Sequence, residues 1–403
     1  MASHNVPRPA IIEVKTEQSR LREQNQIDEY RALVDLIDVK ITEHQYTLQV
    51  LELTSKLLSK NPEYYTVWNA RRRLLTCGLF PKLSASSSPL TASQSTSQIG
   101  TTTTSSADVS SSITNSSTES KEILDNFDSQ THRKNGTTLE LIKSDLGFIF
   151  PLMIQYPKCY WIWNYRLWLL KEGNARLETH IARDLWMHEL ALVGKMLVRD
   201  SRNFHGWGYR RNVVAELESP KLNGFSMAEA EFEYTTKMIK ANLSNFSAWH
   251  RRSKLIPKLL NERKADDATR HDFLNSEFEL ITEAIYTDAY PYAQSVWFYY
   301  QFLMSTLIEP TGSSAINPNC TLQDRIVYLS KQLISLKDML DGAEDCKWIY
   351  DALLEYTLVL CRMREREATP EERQDCLLWL SELRKLDPLR NGRWGDFRLA
   401  GSG

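Results

Sequence analysis

A repeated tryptophan pattern constrains the fold of this chain more than any other feature of its sequence. Each marker tryptophan has an aromatic residue three positions before it, an arginine three positions after it, and apolar residues six and seven positions after it. The pattern is complete at Trp68, Trp163, Trp207 and Trp249, whereas Trp297 keeps only the apolar pair. Such self-similarity is typical of an array of similar structural units. The preceding aromatic residues are Tyr65, Tyr160, Phe204 and Phe246, and the following arginines are Arg71, Arg166, Arg210 and Arg252.

The spacing of the marker tryptophans predicts both the unit and an insertion. Trp163, Trp207, Trp249 and Trp297 follow one another at intervals of 44, 42 and 48 residues, whereas Trp68 and Trp163 are 95 residues apart. Residues 84–120 within that long gap are mostly Ser, Thr and other small or polar residues, which bury too little apolar surface to offset chain entropy. We therefore predict a disordered loop over 81–136, and removing its 56 residues leaves one ordinary repeat.

Each unit is predicted to be a pair of helices. The aromatic residue, the tryptophan and the apolar pair form one stripe of an amphipathic helix. Pro62, Pro157 and Pro291 lie six residues before a marker and suit a first helical turn. A second helical pattern precedes each marker, and no strand pattern is found. The prediction is an all-α solenoid. A charged helical stretch over 13–48 precedes the first unit, and Trp348 and Trp394 are interpreted as markers of two degenerate terminal units.

These patterns divide the chain into three kinds of segment. We predict an extended tail over 1–16, a single helical-repeat domain over 17–80 and 137–400, and the Ser/Thr-rich loop between its two parts.

Composition excludes several classes of function. With 49 Lys and Arg against 51 Asp and Glu, the net charge of −2 does not favour nucleic acid as a partner. No apolar run is long enough to span a membrane, and the N-terminus lacks the apolar core of a secretion signal, so a cytoplasmic location is expected. The six cysteines are scattered without a C-x-x-C motif, which argues against disulfides and against a zinc site built by this chain alone.

The segments at 61–72, 156–168 and 201–211 resemble the repeat of protein prenyltransferase α subunits, and the chain is most similar to the short form of the type II, Rab-directed geranylgeranyltransferase. The resemblance implies a right-handed, crescent-shaped superhelix that binds a β subunit. It implies transfer of geranylgeranyl from geranylgeranyl diphosphate to C-terminal cysteines of Rab GTPases that an escort protein presents. The catalytic Zn²⁺ would belong to the β subunit, and a need for Mg²⁺ is left undecided.

The resemblance assigns catalytic roles in the second repeat. Lys158 matches a lysine that reaches toward the diphosphate leaving group, where a cation stabilises charge developing on the bridging oxygen. Tyr160 follows on the same turn and offers a hydroxyl donor. The alternatives are that Lys158 is an ordinary solvated lysine and that Tyr160 is only the aromatic residue of its repeat.

Two further assignments follow from the resemblance. His4 in the N-terminal tail is expected as a removable ligand of the β-subunit zinc, although Asn5 stands where a glycine is expected. Four residues of the third repeat are expected at the interface with β: Asn203, His205, Tyr209 and Arg210. For Arg210, hydrogen bonding inside the solenoid is left open as the alternative. By contrast, Arg71, Arg166 and Arg252 are interpreted as hydrogen-bonding inside the solenoid, to carboxylates or helix ends of neighbouring repeats.

At one position the sequence departs from another member of the family. Trp161 stands where the farnesyl and type I α subunit has a glutamine that reads a terminal carboxylate, which favours an enzyme that does not read a CaaX box.

Two alternative interpretations of the function stay open. The first is that the chain is the farnesyltransferase and type I α subunit. The second is that it is a non-catalytic helical scaffold of the tetratricopeptide kind, against which the repeat length of 42–48 residues argues.

Overall fold

The computed structural model describes residues 16–82, 117–287, 293–309 and 315–396, with side chains described from residue 136 to 286 in the second range. These residues form fifteen α-helices, and no strand occurs among them. The predicted all-α fold is therefore confirmed. The helices are α1 (Glu17–Thr42), α2 (Leu48–Lys60), α3 (Tyr65–Leu74), α4 (Ser117–Gln155), α5 (Tyr160–Arg176), α6 (Thr179–Arg199), α7 (Phe204–Leu217), α8 (Ala228–Ala241), α9 (Phe246–Glu262), α10 (Asp267–Thr287), α11 (Gln294–Ile308), α12 (Leu322–Met339), α13 (Lys347–Met363), α14 (Pro370–Leu386) and α15 (Asn391–Asp396).

The helices follow the predicted two-helix repeat. Helices α2 and α3 pack together, as do α4 and α5, α8 and α9, α10 and α11, α12 and α13, and α14 and α15. The chain divides into two compact units, with boundaries after Val193, Trp207 and Gly224. The first unit contains α1 to α5, and the second contains α8 to α15. Both are built from the same helix pair, and the single continuous domain stays a prediction. No helix among the described residues is long and apolar enough to cross a membrane.

Each marker tryptophan is the fourth residue of its helix and is buried. The indole N–H of Trp68 donates to the carbonyl of Pro62 at 2.8 Å, and that of Trp163 donates to the carbonyl of Pro157 at 3.0 Å. Trp207 and Trp249 make the same bond to the carbonyl six residues earlier. The prediction that these prolines lie in the first helical turn is wrong: Pro62 and Pro157 lie in the turn before it. Their carbonyls satisfy the buried indole N–H groups.

The arginines after the markers join neighbouring repeats in the first unit. Arg71 binds Asp145 on α4, and the Tyr165 hydroxyl donates to the same carboxylate at 2.6 Å. One repeat later, Arg166 donates to Glu189 at 2.8 Å and the Tyr209 hydroxyl donates to Glu189 at 2.7 Å. These two buried Arg–carboxylate–Tyr groups are called inter-repeat triads here. They confirm the interpretation of Arg71 and Arg166 as internal residues.

The second unit contains a third triad. Arg252 donates to Glu277 at 2.6 Å, and the Tyr299 hydroxyl donates to the same carboxylate at 2.5 Å. All three members are buried, so Arg252 is also internal. Each triad tyrosine also makes a tilted ring contact: its ring lies 4.7 to 5.2 Å from the marker tryptophan of the preceding repeat, in the pairs Trp68–Tyr165, Trp163–Tyr209 and Trp249–Tyr299.

The pKa values agree with a charged Arg–carboxylate pair and a protonated tyrosine. Burial by itself lowers the pKa of Arg166, but the attraction of Glu189 outweighs it and the net pKa is raised. Burial, followed by the Glu189 charge, raises the pKa of Tyr209 well above its ordinary value. The phenol therefore stays a donor, and each carboxylate accepts from two different helices.

The degenerate sixth repeat has the same arrangement of helix and hydrogen bond, but a tyrosine occupies the position of the marker tryptophan. Trp348 is the second residue of α13, whereas Tyr350 is the fourth, and the Tyr350 hydroxyl donates to the carbonyl of Glu344, six residues earlier, at 2.9 Å. The assignment of Trp348 as the marker is therefore wrong by two positions. A phenol O–H reaches the same carbonyl as an indole N–H, so the position in the helix, and not the residue type, defines the marker.

The last part of the predicted loop is helical. Helix α4 begins at Ser117, so the backbone of residues 117–136 is helical where a loop was predicted. From Ser117 the sequence contains Glu, Lys, Ile and Leu and no proline up to residue 136, and these residues favour a helix. Residues 83–116 of that loop, His4 and the rest of the N-terminal tail, and Pro291 lie outside the described residues. The charged stretch predicted over 13–48 is helical from Glu17 to Thr42.

Candidate functional site

A short turn leads into each of the helices α3, α5, α7 and α9, and the turn before α5 carries the predicted catalytic lysine. The N–H of Cys159 donates to the carbonyl of Tyr156 at 3.0 Å, which closes a turn around Pro157 and Lys158. Lys158 is exposed and, within the part of the chain that the structure describes, has no hydrogen-bond or ion-pair partner. The turn therefore presents an ammonium group to solvent.

Cys159 anchors this turn to the repeat before it. Its side chain is buried, and the thiol donates to the carbonyl of Pro62 at 3.5 Å. Burial raises the pKa of the thiol to about 11, so it stays protonated and is a poor nucleophile near neutral pH. The role of Cys159 is to hold the backbone beside Lys158 in place.

Three aromatic side chains meet at the start of α5, which begins two residues after Lys158. Tyr160 begins α5 and Trp161 follows it, and their rings are 5.5 Å apart. Tyr65, the first residue of α3, lies 5.3 Å from Trp161, so one aromatic surface crosses from the first repeat to the second. Tyr65 and Tyr160 are both 53% exposed. The turn thus combines a cation with an exposed aromatic surface, which we call the aromatic platform (Tyr65, Tyr160 and Trp161).

The predicted buried stripe is wrong for the aromatic residues three positions before the markers. The aromatic residue three positions before the marker was expected to share the buried face with the tryptophan, yet Phe204 is 75% exposed and Phe246 is 48% exposed. Each is the first residue of its helix. Because side chains tilt toward the N-terminus of a helix, a residue in this position projects beyond the helix end instead of into the core.

The four third-repeat residues predicted at the interface with β differ in their exposure within this chain. Asn203, Tyr209 and Arg210 are buried within the chain, which leaves little of their surface for a partner. The side-chain amide oxygen (Oδ1) of Asn203 accepts from the N–H of Gly206 at 3.0 Å at the start of α7, and Tyr209 belongs to a triad. His205 is partly exposed. The assignment of these four residues to the interface with β stays a prediction.

The described residues provide no metal site: no three His, Cys, Asp or Glu side chains among them converge as a metal ion would require. The candidate functional features among the described residues are the Lys158 cation and the aromatic platform. The family resemblance pointed to Lys158 and Tyr160, and to Trp161 as a departure from the family, whereas Tyr65 was interpreted as part of a buried stripe. Its position at the first residue of a marker helix was the available signal.

Comparison with known proteins identifies the repeat. The protein prenyltransferase alpha subunit repeat matches residues 48–78, 142–173, 186–217 and 228–259, which contain the markers Trp68, Trp163, Trp207 and Trp249. A solved structure of Candida albicans protein geranylgeranyltransferase-I complexed with GGPP has the same fold, with a TM-score of 0.53 and 16% identity over 97% of this chain and 93% of that one.

Relatives of known name match over the whole length. The geranylgeranyl transferase type-2 subunit alpha of Schizosaccharomyces pombe is 30% identical over 97% of this chain and 96% of its own length, and that of Saccharomyces cerevisiae is 29% identical over 97% of both. The Bos taurus subunit is 29% identical over 72% of this chain but only 40% of its own length. With four matched repeats and end-to-end similarity, this chain belongs to the geranylgeranyl transferase type-2 α-subunit family of protein prenyltransferases.

Proposed function

We propose that this chain is the α subunit of a heterodimeric geranylgeranyltransferase of type II. The complete enzyme would transfer geranylgeranyl from its diphosphate to C-terminal cysteines of Rab GTPases presented by an escort protein. Activity would require the β subunit, and the assembly would work in the cytoplasm. Family membership supports this proposal together with one observation in the structure, the exposed cation on the turn before α5.

Lys158 carries the chemical part of the proposal. Its ammonium group lies on a turn that Cys159 anchors, and no carboxylate among the described residues pairs with it. Breaking the bond between the isoprenoid and the diphosphate leaves negative charge on the bridging oxygen. A preorganised cation stabilises that charge more in the transition state than in the ground state. Lys158 would therefore act on the leaving group, and the Tyr160 hydroxyl would add a second donor.

The remaining chemistry is assigned to the β subunit. Zinc bound there would lower the pKa of the substrate thiol and supply the thiolate nucleophile. This chain would contribute the diphosphate cation and a surface that positions β. The ligation of that zinc by His4 stays part of the proposal.

The test is single-turnover transfer by the purified heterodimer with escort-bound Rab and geranylgeranyl diphosphate. Lys158→Ala is expected to slow the chemical step roughly 100-fold, the usual effect of removing one donor from a developing oxyanion. Lys143→Ala removes an exposed lysine of α4 in the same unit and serves as the matched control. Lys158→Arg is expected to restore part of the rate, since it keeps a cation.

The outcomes separate the alternatives. Unchanged transfer by an intact Lys158→Ala heterodimer would contradict the role of Lys158. Transfer to a CaaX peptide without an escort protein would instead identify a farnesyltransferase or type I α subunit. Failure of the wild-type chain to bind any prenyltransferase β subunit would favour the non-catalytic scaffold.

A further inference from the structure

Arg72, on α3, is a half-buried cation with no acidic partner among the described residues. Its guanidinium carbon lies 5.7 Å from the centre of the Tyr165 ring and 5.5 Å from that of the Trp168 ring, both on α5. Its Nη1 group donates to the side-chain oxygen of Asn69 at 3.0 Å. Its Nε group is buried and has no hydrogen-bond partner in the described structure. The guanidinium is therefore held in place by neutral groups.

The preceding residue, Arg71, shows how this fold usually treats a buried guanidinium. Burial by itself lowers the pKa of Arg71, but the charge of Asp145 outweighs it and the net pKa is raised. Burial also lowers the pKa of Arg72, and only the smaller effect of Tyr165 opposes it. Removing a charge from water without a counter-charge costs free energy, which the two aromatic contacts offset in part. A cation in this position is typical of a residue whose counter-charge comes from a ligand.

The two helices that meet at Arg72 carry aromatic residues and no acid along this stretch. Neither α3 nor the part of α5 from Tyr160 to Lys171 contains Asp or Glu. Trp168 is partly exposed, and the aromatic platform lies seven residues earlier on both helices, at Tyr65 and Trp161. Seven residues are two helical turns, or about 10 Å, so these residues share one side of each helix. An aromatic surface therefore extends from the platform to Arg72.

The composition of this surface indicates the chemistry of its ligand. Aromatic residues and arginine are enriched where proteins bind polypeptide, and a guanidinium forms two parallel hydrogen bonds with a carboxylate. The lipid substrate has its proposed cation in Lys158, whereas no residue of this chain is yet assigned to the protein substrate. Trp161 stands in the place of a glutamine that reads a terminal carboxylate, which favours an acidic side chain over the end of the chain. An extended polypeptide covers about 10 Å in three residues.

We propose that Arg72 binds an acidic side chain of the protein substrate, a few residues before the cysteine that accepts the geranylgeranyl group. The inference rests on the proposed function and assigns part of its substrate specificity. Arg72 does not touch the reacting atoms but selects and positions the polypeptide next to them. The same contact is made in the ground state and in the transition state, so it lowers KM and leaves kcat unchanged.

The test uses the purified heterodimer and escort-bound Rab substrates. The substrates form a series in which a single aspartate occupies successive positions before the C-terminal cysteines, and the parent substrate has no acid there. With the wild-type heterodimer, we expect aspartate at one position to lower KM about 10-fold relative to the parent, as a charge-assisted hydrogen bond does. We expect kcat to be the same throughout the series. A KM that is independent of the aspartate at every position would overturn the proposal.

Removal of the charge identifies the residue responsible. Arg72→Gln keeps a side chain that can bond Asn69 but has no charge, and it is expected to abolish the preference for the aspartate substrate. The parent substrate should be transferred equally well by both heterodimers, which shows that the fold is intact. Arg73→Gln removes the exposed arginine next in the sequence and is the matched control, with the preference unchanged. Equal loss in both variants would show a general charge effect and would overturn the assignment to Arg72.

Charge exchange separates binding from a structural role. Arg72→Glu is expected to raise the KM of the preferred aspartate substrate above that of the parent, because like charges then meet. A substrate with lysine at the same position is expected to recover most of the lost affinity with this variant. A purely structural arginine would weaken all the substrates alike, and that result would overturn the proposal.

The outcomes distinguish this inference from the proposed function. If the wild-type heterodimer transfers no geranylgeranyl, the proposed function itself fails. If it transfers normally and Lys158→Ala slows the chemical step while Arg72→Gln keeps the aspartate preference, only the role of Arg72 is wrong. Weaker β binding by Arg72→Gln, or a raised KM for geranylgeranyl diphosphate, would assign Arg72 to the heterodimer contact or to the lipid and overturn the proposal.

Discussion

Two kinds of charged site in this chain contrast sharply: the inter-repeat triads and the turn before α5. In the triads, Arg166 and its counterparts are buried against a carboxylate and a tyrosine hydroxyl, and the same arrangement occurs three times. On the turn, Lys158 is exposed and has no partner among the described residues. The buried charges of the triads stabilise the fold, whereas the exposed charge of Lys158 is the one proposed to act in the chemistry.

Variation within the triads supports their structural role. At Trp297 the arginine is replaced by Tyr300, whose hydroxyl donates to the Gln332 side-chain oxygen at 3.2 Å. In the fourth repeat Arg251 stands at the tyrosine position, and its guanidinium lies 3.6 Å from the buried Glu231 carboxylate. Both variants therefore keep a polar contact between neighbouring repeats, although the groups in contact carry different charges from those of the triads.

The largest expected effect comes from breaking a triad. Glu189→Ala leaves the guanidinium of Arg166 buried without a counter-charge, which costs about 3–5 kcal/mol in the free energy of unfolding. Urea denaturation of the purified chain measures this. Glu367→Ala removes the exposed partner of Arg373 and is expected to cost less than about 1 kcal/mol. Similar losses in both variants would show that burial does not distinguish the triads.

A smaller effect is expected when only the phenol is removed. Tyr209→Phe keeps the ring against Trp163 but removes a hydrogen bond to a charged acceptor, worth about 1.5–3 kcal/mol. Tyr300→Phe removes a bond to a neutral acceptor, worth about 0.5–1.5 kcal/mol. The same denaturation series checks this order, and a larger loss for Tyr300→Phe would contradict it.

The partly exposed ion pair of Arg366 and Glu372 is intermediate between the buried triads and the exposed Lys158. Its contribution to the free energy of unfolding depends on pH. The Arg366 hydrogen bonds lower the pKa of Glu372 to about 2. Because the folded-state pKa is below the ordinary value of about 4.3, this stabilisation is present at neutral pH and is lost as the pH falls from about 4 toward 2. Glu372→Gln keeps the helix cap but removes the charge.

We expect Glu372→Gln to destabilise the chain by less than about 1 kcal/mol at pH 7, because the pair is partly solvated. Its difference from the wild type should vanish near pH 2. A difference that is constant from pH 7 to pH 2, measured from urea midpoints, would show that the charge of Glu372 is not responsible.

The smallest effect on stability is expected at Lys158. Lys158→Ala should leave the urea midpoint unchanged, since the lysine has no partner among the described residues to lose. The same substitution is expected to reduce geranylgeranyl transfer strongly, because the diphosphate leaving group would lose its cation. A change in stability as large as that of Glu189→Ala would place Lys158 with the structural charges and end the contrast between the two sites.

Much of this protein is determined locally by its sequence. The marker tryptophans predict the helix that carries them, the length of the repeat and the presence of an insertion, because helical periodicity and the burial of large aromatic side chains are properties of short segments. The family motif around Lys158 is equally local, so the sequence alone is enough to locate the candidate cation. The internal role of Arg71, Arg166 and Arg252 was also predicted, since a guanidinium on a buried helix face needs acceptors.

Only the tertiary structure decided which groups meet. Asp145 lies 74 residues from Arg71, and neither segment of the sequence indicates that the other one is its partner. The exposure of Tyr65 and Phe246, the marker role of Tyr350 and the unpaired charge of Arg72 depend on what lies across a repeat junction. The physical reason is that helix formation is governed by neighbours in the chain, whereas burial, ion pairing and open space are set by packing between helices far apart in sequence.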